Sequence, residues 1–275
     1  MIKLIMSDMD GTLLDTKGNV PAGFDNIIKE LSKRNVIFAP ASGRQYFSLL
    51  DSFKGYEDKF LFLAENGTMV RYQGKELFSS PMQHDIALKV INTVLDIPQV
   101  YSVYCGKKNA YVLKSQYDDA FAAELAKYYT HSAVVDDFSA IDDEIIKASF
   151  WDITGNADKS ILVPLHKYAD KLQVALSSAY WVDVMNADIN KGIAIKQVQK
   201  KLKIKPEECA AFGDYLNDSE MMEAVYYSFA MANAHPKIKE LARFSTASNE
   251  EHGVLRAIKK LIDDGLCGSA YELDV

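Results

Sequence analysis

The chain has 275 residues, 48% of them hydrophobic, with 31 Lys+Arg against 38 Asp+Glu and a formal net charge of −7. With 14 Gly and 7 Pro it is neither collagen-like nor low-complexity, and its apolar fraction can fill a core. The acidic balance offers no basic footprint to a nucleic-acid backbone or an anionic lipid surface, and a chain of this length is expected to form roughly two domains.

From the amino end, residues 2–6 form a short apolar run that predicts a buried strand. The segment Pro21-Ala22-Gly23-Phe24-Asp25-Asn26-Ile27-Ile28-Lys29-Glu30-Leu31 then places Phe24, Ile27, Ile28 and Leu31 on one helical face. Val36-Ile37-Phe38-Ala39 and Phe60-Leu61-Phe62-Leu63-Ala64 repeat the strand pattern. Strand, helix and strand predict a parallel βαβ unit with a right-handed crossover.

From about residue 81 the character changes. Tyr101-Ser102-Val103-Tyr104 and Ala110-Tyr111-Val112-Leu113 read as strands, interleaved with helix candidates over 117–129 and 159–168. A helix over 193–202 and the buried strands Cys209-Ala210-Ala211-Phe212 and Tyr227-Ser228-Phe229-Ala230-Met231 return to the first pattern. The expected fold is α/β: a Rossmann-like, doubly wound parallel sheet interrupted by an inserted α+β domain. The expected boundaries are core 1–81, insert 82–185 and core 186–275.

Ligands of doubly wound sheets bind beyond the carboxyl ends of the strands, and Asp8-Met9-Asp10-Gly11-Thr12-Leu13-Leu14 stands at such an end. In an extended stretch, residues 8 and 10 project to the same side, which would bring two carboxylates to one pocket. An acidic turn before a glycine is the plainer reading. Ser42-Gly43-Arg44 follows the second strand, where a hydroxyl and unpaired backbone N–H groups could hold an anion, or Ser42 could simply cap a helix. Gly213-Asp214-Tyr215-Leu216-Asn217-Asp218 follows the fourth core strand and could complete a hard-cation site or cap a helix. Lys191 begins the helix that re-enters the core, as a phosphate ligand or a solvated lysine.

In this order, Asp-x-Asp, Ser, Lys and Gly-Asp-x-x-Asn-Asp, the four segments resemble the haloacid dehalogenase superfamily. Ala230-Met231-Ala232-Asn233-Ala234 and Ser248-Asn249-Glu250-Glu251-His252-Gly253-Val254 further resemble the Cof-type phosphatases, which carry a large α/β cap of type IIB. The resemblance spans essentially the whole chain, with Ser42 standing where Thr is commoner. It implies Asp8 as nucleophile, Asp10 as acid and base, and Mg²⁺ held by the Asp8 carboxylate, the Asp10 main-chain carbonyl and Asp214. Ser42, Gly43, Lys191 and Asn217 would grip the phosphoryl oxygens, and Asp218 would orient either Lys191 or a water behind it. Residues 11–20 would form a helical turn and small hairpin, with Lys17-Gly18-Asn19 at the turn. Arg44 and the Glu65-Asn66-Gly67 loop are candidates for secondary substrate contacts, or for an ordinary ion pair and turn.

The resemblance therefore predicts a Mg²⁺-dependent phosphatase of small phosphorylated metabolites, such as sugar phosphates, pyridoxal phosphate or flavin mononucleotide. A phosphomutase using the same aspartyl-phosphate and a phospho-accepting regulator are the alternatives. Tyr101, Tyr104 and Tyr111 could face a ligand ring but suit sheet packing. Cys105, Cys209 and Cys267 form no CxxC pair, and the five His residues show no HxxxH spacing, so neither a disulfide framework nor a zinc site is expected. No apolar run reaches membrane-spanning length. The reading is a soluble, cytoplasmic protein, monomeric or weakly dimeric, with a small phosphoester as its partner.

Overall fold

The computed structural model describes residues 1–268, so 269–275 of the expected core segment 186–275 lie outside the described residues. The chain divides into two compact units. One comprises Met1–Gly43, Phe53–Phe78 and the described part of Asn190–Val275, and the other Arg44–Ser52 and Ser79–Ile189. In chain order the first elements are β1 (Leu4–Ser7), α1 (Phe24–Ser32), β2 (Ile37–Pro40), α2 (Tyr46–Ser52), β3 (Leu61–Ala64), β4 (Met69–Tyr72) and β5 (Lys75–Ser79). There follow α3 (His84–Val94), β6 (Val100–Gly106), β7 (Ala110–Leu113), α4 (Asp119–Leu125), β8 (Ser132–Val135), β9 (Ile145–Asp152), α5 (Ala157–Ser160), α6 (Leu162–Leu165), β10 (Leu172–Leu176) and β11 (Trp181–Asn186). The last are α7 (Lys191–Leu202), β12 (Cys209–Gly213), α8 (Ser219–Glu223), β13 (Tyr227–Ala230), α9 (Pro236–Leu241), β14 (Phe244–Ser245) and α10 (Gly253–Asp263).

The first unit is built on a parallel sheet in the order β14-β13-β12-β1-β2. Every residue of β1 is buried, because a central parallel strand is covered on both faces and loses the alternation of an exposed sheet. Beyond β2, a parallel bridge between Ala41 and Leu63 brings up β3, which pairs antiparallel with β4. The face of α1 buries Phe24, Ile28 and Leu31, and Phe24 meets Phe38, Phe53 and Phe60 at ring separations of 5.4, 5.7 and 6.1 Å. Parallel pairing aligns strand ends: Ser7 lies opposite both Pro40 and Phe212. Asp8, Ser42 and Asp214 therefore all emerge at one edge of the sheet.

The second unit is a six-stranded sheet in the order β10-β11-β9-β6-β7-β8, antiparallel apart from the β7–β8 pair. One face packs Ala148, Phe150 and Val182 with Val90 and Ile91 of α3. The other packs Val103, Val112 and Trp151 with Phe121 and Leu125 of α4. Tyr101 stacks on Phe121 at 4.8 Å and Tyr104 lies 5.2 Å from Phe138, so both pack the sheet.

The helix expected over 117–129 contracts to α4, because the Asp118 carboxylate accepts from the Phe121 N–H at 2.8 Å and starts the helix there. The helix expected over 159–168 breaks into α5, α6 and a single turn at His166–Tyr168. Pro164, inside α6, has no N–H to return to the preceding turn. All three cysteines are buried and none is in a disulfide, and no helix among the described residues is long and apolar enough to cross a membrane.

Candidate active site

Asp8 is the first residue past β1, its N–H donating to the Phe212 carbonyl at 3.0 Å. The extended backbone ends there. The chain turns through Met9–Leu13, closed by N–H donation from Leu13 to the Asp8 carbonyl and from Leu14 to that of Met9. The strand spacing expected for residues 8 and 10 is thus replaced by a tight turn, with Asp8 buried and Asp10 exposed. Gly11 sits at φ +81°, and a Cβ there would fall 2.5 Å from Asp214 Oδ2, so both backbone angle and space demand glycine. The Thr12 hydroxyl then donates to Asp214 Oδ1 at 2.8 Å. Residues 15–19 form the expected turn, with the Asp15 carboxylate accepting from the Lys17 and Asn19 N–H groups. The chain doubles back there, the Asp15 N–H donating to the Asn19 carbonyl at 3.0 Å, but without paired strands on either side.

Lys191 is set by the amino end of α7, where the Asn190 side chain accepts from the Ile193 N–H at 2.9 Å. Its ammonium is buried, which excludes the solvated-lysine reading, and donates to Asp8 Oδ1 at 2.5 Å and Asp218 Oδ1 at 2.7 Å. The other oxygen of Asp218 accepts from the N–H groups of Asp214 and Tyr215 at 3.0 and 3.3 Å. Asp218 therefore locks the loop after β12 to the lysine that contacts Asp8.

Ser42 is buried, its N–H donating to the Leu63 carbonyl and its carbonyl accepting from the Asn66 N–H, each at 2.9 Å. A Cβ on Gly43 would lie 3.2 Å from the Asn66 amide, and Asn217 Nδ2 donates to Asn66 Oδ1 at 3.4 Å. Asn66 thus joins the Ser42–Gly43 segment to Asn217. Arg44 falls in the other unit, with α2. The sequence reading missed Thr12 as a brace of Asp214. A Thr directly after Asp-x-Asp-Gly was the available signal.

Burial drives the Asp8 carboxyl well above the usual carboxylate range. Lys191 pulls it back, and Asp218 and Asp214 push it up again. Burial, then Asp218, raises Asp214 to about 6, against the Thr12 hydrogen bond and Lys191. Burial opposes the Lys191 ammonium, but Asp218 and Asp8 outweigh it and hold its pKa above the ordinary lysine range. One ammonium thus faces a concentration of carboxylates. Oxygens of Asp8, Asp214 and Asp218 lie within 4.8 Å of one another, an all-oxygen set suited to a hard divalent cation. Since Asp218 already serves Lys191 and two backbone N–H groups, Asp8 and Asp214 are the better placed to hold it.

The chain matches the family model of the haloacid dehalogenase-like hydrolases over residues 5–258. It is 32% identical over 263 residues to the 5-amino-6-(5-phospho-D-ribitylamino)uracil phosphatase YbjI of Escherichia coli K12, covering 95% of this chain and 96% of that one. The crystal structure of SMU.1108c from Streptococcus mutans UA159 superposes with a TM-score of 0.86 at 28% identity, covering 96% of this chain and all of that chain. The HAD subclass IIB sugar phosphatase BT4131 shares the fold at a TM-score of 0.77 and 20% identity, covering 95% of this chain and 98% of that one. A parallel sheet that delivers an Asp-x-Asp turn, a buried lysine and an acidic loop to one edge accords with these likenesses, and the chain belongs to the haloacid dehalogenase-like hydrolases, as a phosphatase of their Cof family.

Proposed function

We propose that the protein is a Mg²⁺-dependent phosphatase of small phosphorylated metabolites that works through an aspartyl-phosphate on Asp8. The observation that carries this reading is the buried Asp8 carboxylate at the end of β1, held by Lys191 at 2.5 Å beside Asp214 and Asp218. An oxygen of Asp8 attacks phosphorus and forms the P–O bond while the bond to the leaving oxygen breaks. Asp10 gives its proton to that oxygen, then takes one from the water that hydrolyses the acyl phosphate and restores Asp8. Asp8, Asp214 and the Asp10 carbonyl would hold Mg²⁺, which would supply positive charge to the phosphoryl oxygens. Ser42, the Gly43 N–H, Lys191 and Asn217 bind the remaining phosphoryl oxygens, and Asp218 keeps Lys191 aimed at them. This division of labour suits phosphoryl transfer, in which position and electrostatics supply most of the catalysis. The inserted residues 82–185 form the cap domain, and the loop at Glu65–Gly67 is the candidate for contact with the substrate beyond the phosphate.

The Escherichia coli relative is named for a phosphate on a ribityl chain joined to a uracil ring. That chemistry and flavin mononucleotide therefore belong in a panel with sugar phosphates, pyridoxal phosphate and p-nitrophenyl phosphate. Phosphate release is measured with and without Mg²⁺ for the wild type and Asp8→Asn. Release that requires both the cation and Asp8 supports the reading. A folded, Mg²⁺-binding protein that releases nothing, or that returns the phosphoryl group to its product, sinks it in favour of a regulator or a mutase.

A further inference from the structure

Two segments take no part in that chemistry: residues 231–234, which follow β13, and residues 248–254, which lead into α10. Both converge on the turn that carries Asp10. Asn233 Nδ2 donates to the Gly11 carbonyl at 2.7 Å. The Asn249 N–H donates to Asn233 Oδ1 at 3.2 Å, and Asn249 Nδ2 donates to the Leu14 carbonyl at 2.9 Å. Two residues further on, the Thr16 N–H donates to Glu250 Oε1 at 2.6 Å. The loop behind these side chains is itself fixed. The Ser248 hydroxyl donates to Glu251 Oε2 at 2.8 Å, the His252 N–H to the Asn249 carbonyl at 3.0 Å, and the Thr246 hydroxyl to the Gly253 carbonyl at 2.7 Å.

The backbone of this turn needs such support. Asp10 (φ −80°, ψ 119°) and Gly11 (φ 81°, ψ −4°) interrupt the helical geometry of Met9–Leu13, so the backbone is irregular at the residue whose side chain must be aimed. On the amino side the turn hangs from β1. On the carboxyl side the two asparagines take the carbonyls of Gly11 and Leu14. We propose that Asn233 and Asn249 are positioning residues that hold Asp10 at the leaving oxygen by clamping the backbone after it. The proposal rests on Asp10 being the proton donor. A misplacement of the order of 1 Å in such a group costs about a hundredfold in rate, whereas the clamp touches neither Asp8 nor Lys191.

Leaving-group dependence tests this. The quantity compared is kcat/KM, which reports the step that forms the aspartyl-phosphate, for a sugar phosphate and for 2,4-dinitrophenyl phosphate. The dinitrophenolate departs without a proton, and the sugar alkoxide does not. For Asn233→Ala, whose side chain is exposed, kcat/KM should fall about 10- to 50-fold on the sugar phosphate and less than about threefold on the dinitrophenyl ester. Asn249→Ala should repeat the pattern, and Asn233→Ala carries the test alone if the buried Asn249 variant does not fold. Equal losses on both esters, or none on either, overturn the clamp while Asp10→Asn still discriminates between them. If Asp10→Asn shows no discrimination, the proton-donor reading of Asp10 fails and takes the clamp with it.

Discussion

Lys191 is the residue on which the charge balance of the site turns. Its ammonium lies 2.5 Å from Asp8 and 2.7 Å from Asp218, with its side chain wholly buried. Deleting one partner of a buried ion pair costs about 3–5 kcal/mol, because the other charge stays behind without water. Lys191→Met should therefore lower stability by about that amount in urea titrations at pH 7 in EDTA, and should abolish phosphate release. Thr12→Val removes a single hydrogen bond to Asp214, for an expected loss of about 1–3 kcal/mol. A Lys191→Met loss no larger than that of Thr12→Val would show that solvent, not Lys191, screens the carboxylates.

At the scale of elements, the lysine is delivered by the packing of α7 on α8. Gly192 lies so close to α8 that a Cβ would fall 2.3 Å from the Glu220 carbonyl oxygen, an approach that only a shift of backbone could relieve. Gly192→Ala should push α7 off α8 and move Lys191, cutting kcat more than tenfold and lowering the urea midpoint. Wild-type values for both would mean that the helices slide without disturbing the site. None of this close approach could be read from Asn190-Lys191-Gly192 in the sequence, since it depends on which helix arrives opposite. The parallel strands and α1 were legible because both follow from local apolar spacing. The helices of the second unit were not: Asp118 and Pro164 override the periodicity that joined 117–129 and 159–168. The motif segments marked the edge of the sheet where carboxylates meet, while Thr12, the Asn66 link and the asparagine clamp arise from contacts between residues far apart in the chain.

For the whole molecule, the carboxylate cluster trades stability for a charged pocket, and pH exposes the trade. Asp214 is raised from an ordinary 3.8 to about 6, so between those values the folded chain holds a proton that the unfolded chain has released. Stability contributed by this group is then lost as pH rises through that window, the opposite of the usual carboxylate. Asp8 is shifted in the same direction. Partly exposed carboxylates such as Asp15 and Glu30, lowered by hydrogen bonds from Asn19 and Lys33, act in the reverse sense, so the contribution must be isolated by difference. Asp214→Asn removes the charge and retains the shape. In EDTA at pH 7.5 it should be more stable than the wild type by about 1–2 kcal/mol, after allowance for solvent screening of a half-buried side chain, and the gain should vanish near pH 4. Mg²⁺ at a hundredfold excess over its dissociation constant should restore about 2.7 kcal/mol to the wild type and much less to Asp214→Asn. Thermal unfolding of both proteins across pH, with and without the cation, checks the two signs together. If Asp214→Asn is the less stable protein in EDTA at pH 7.5, the pocket is already neutralised by the chain's own groups and has no need of a cation.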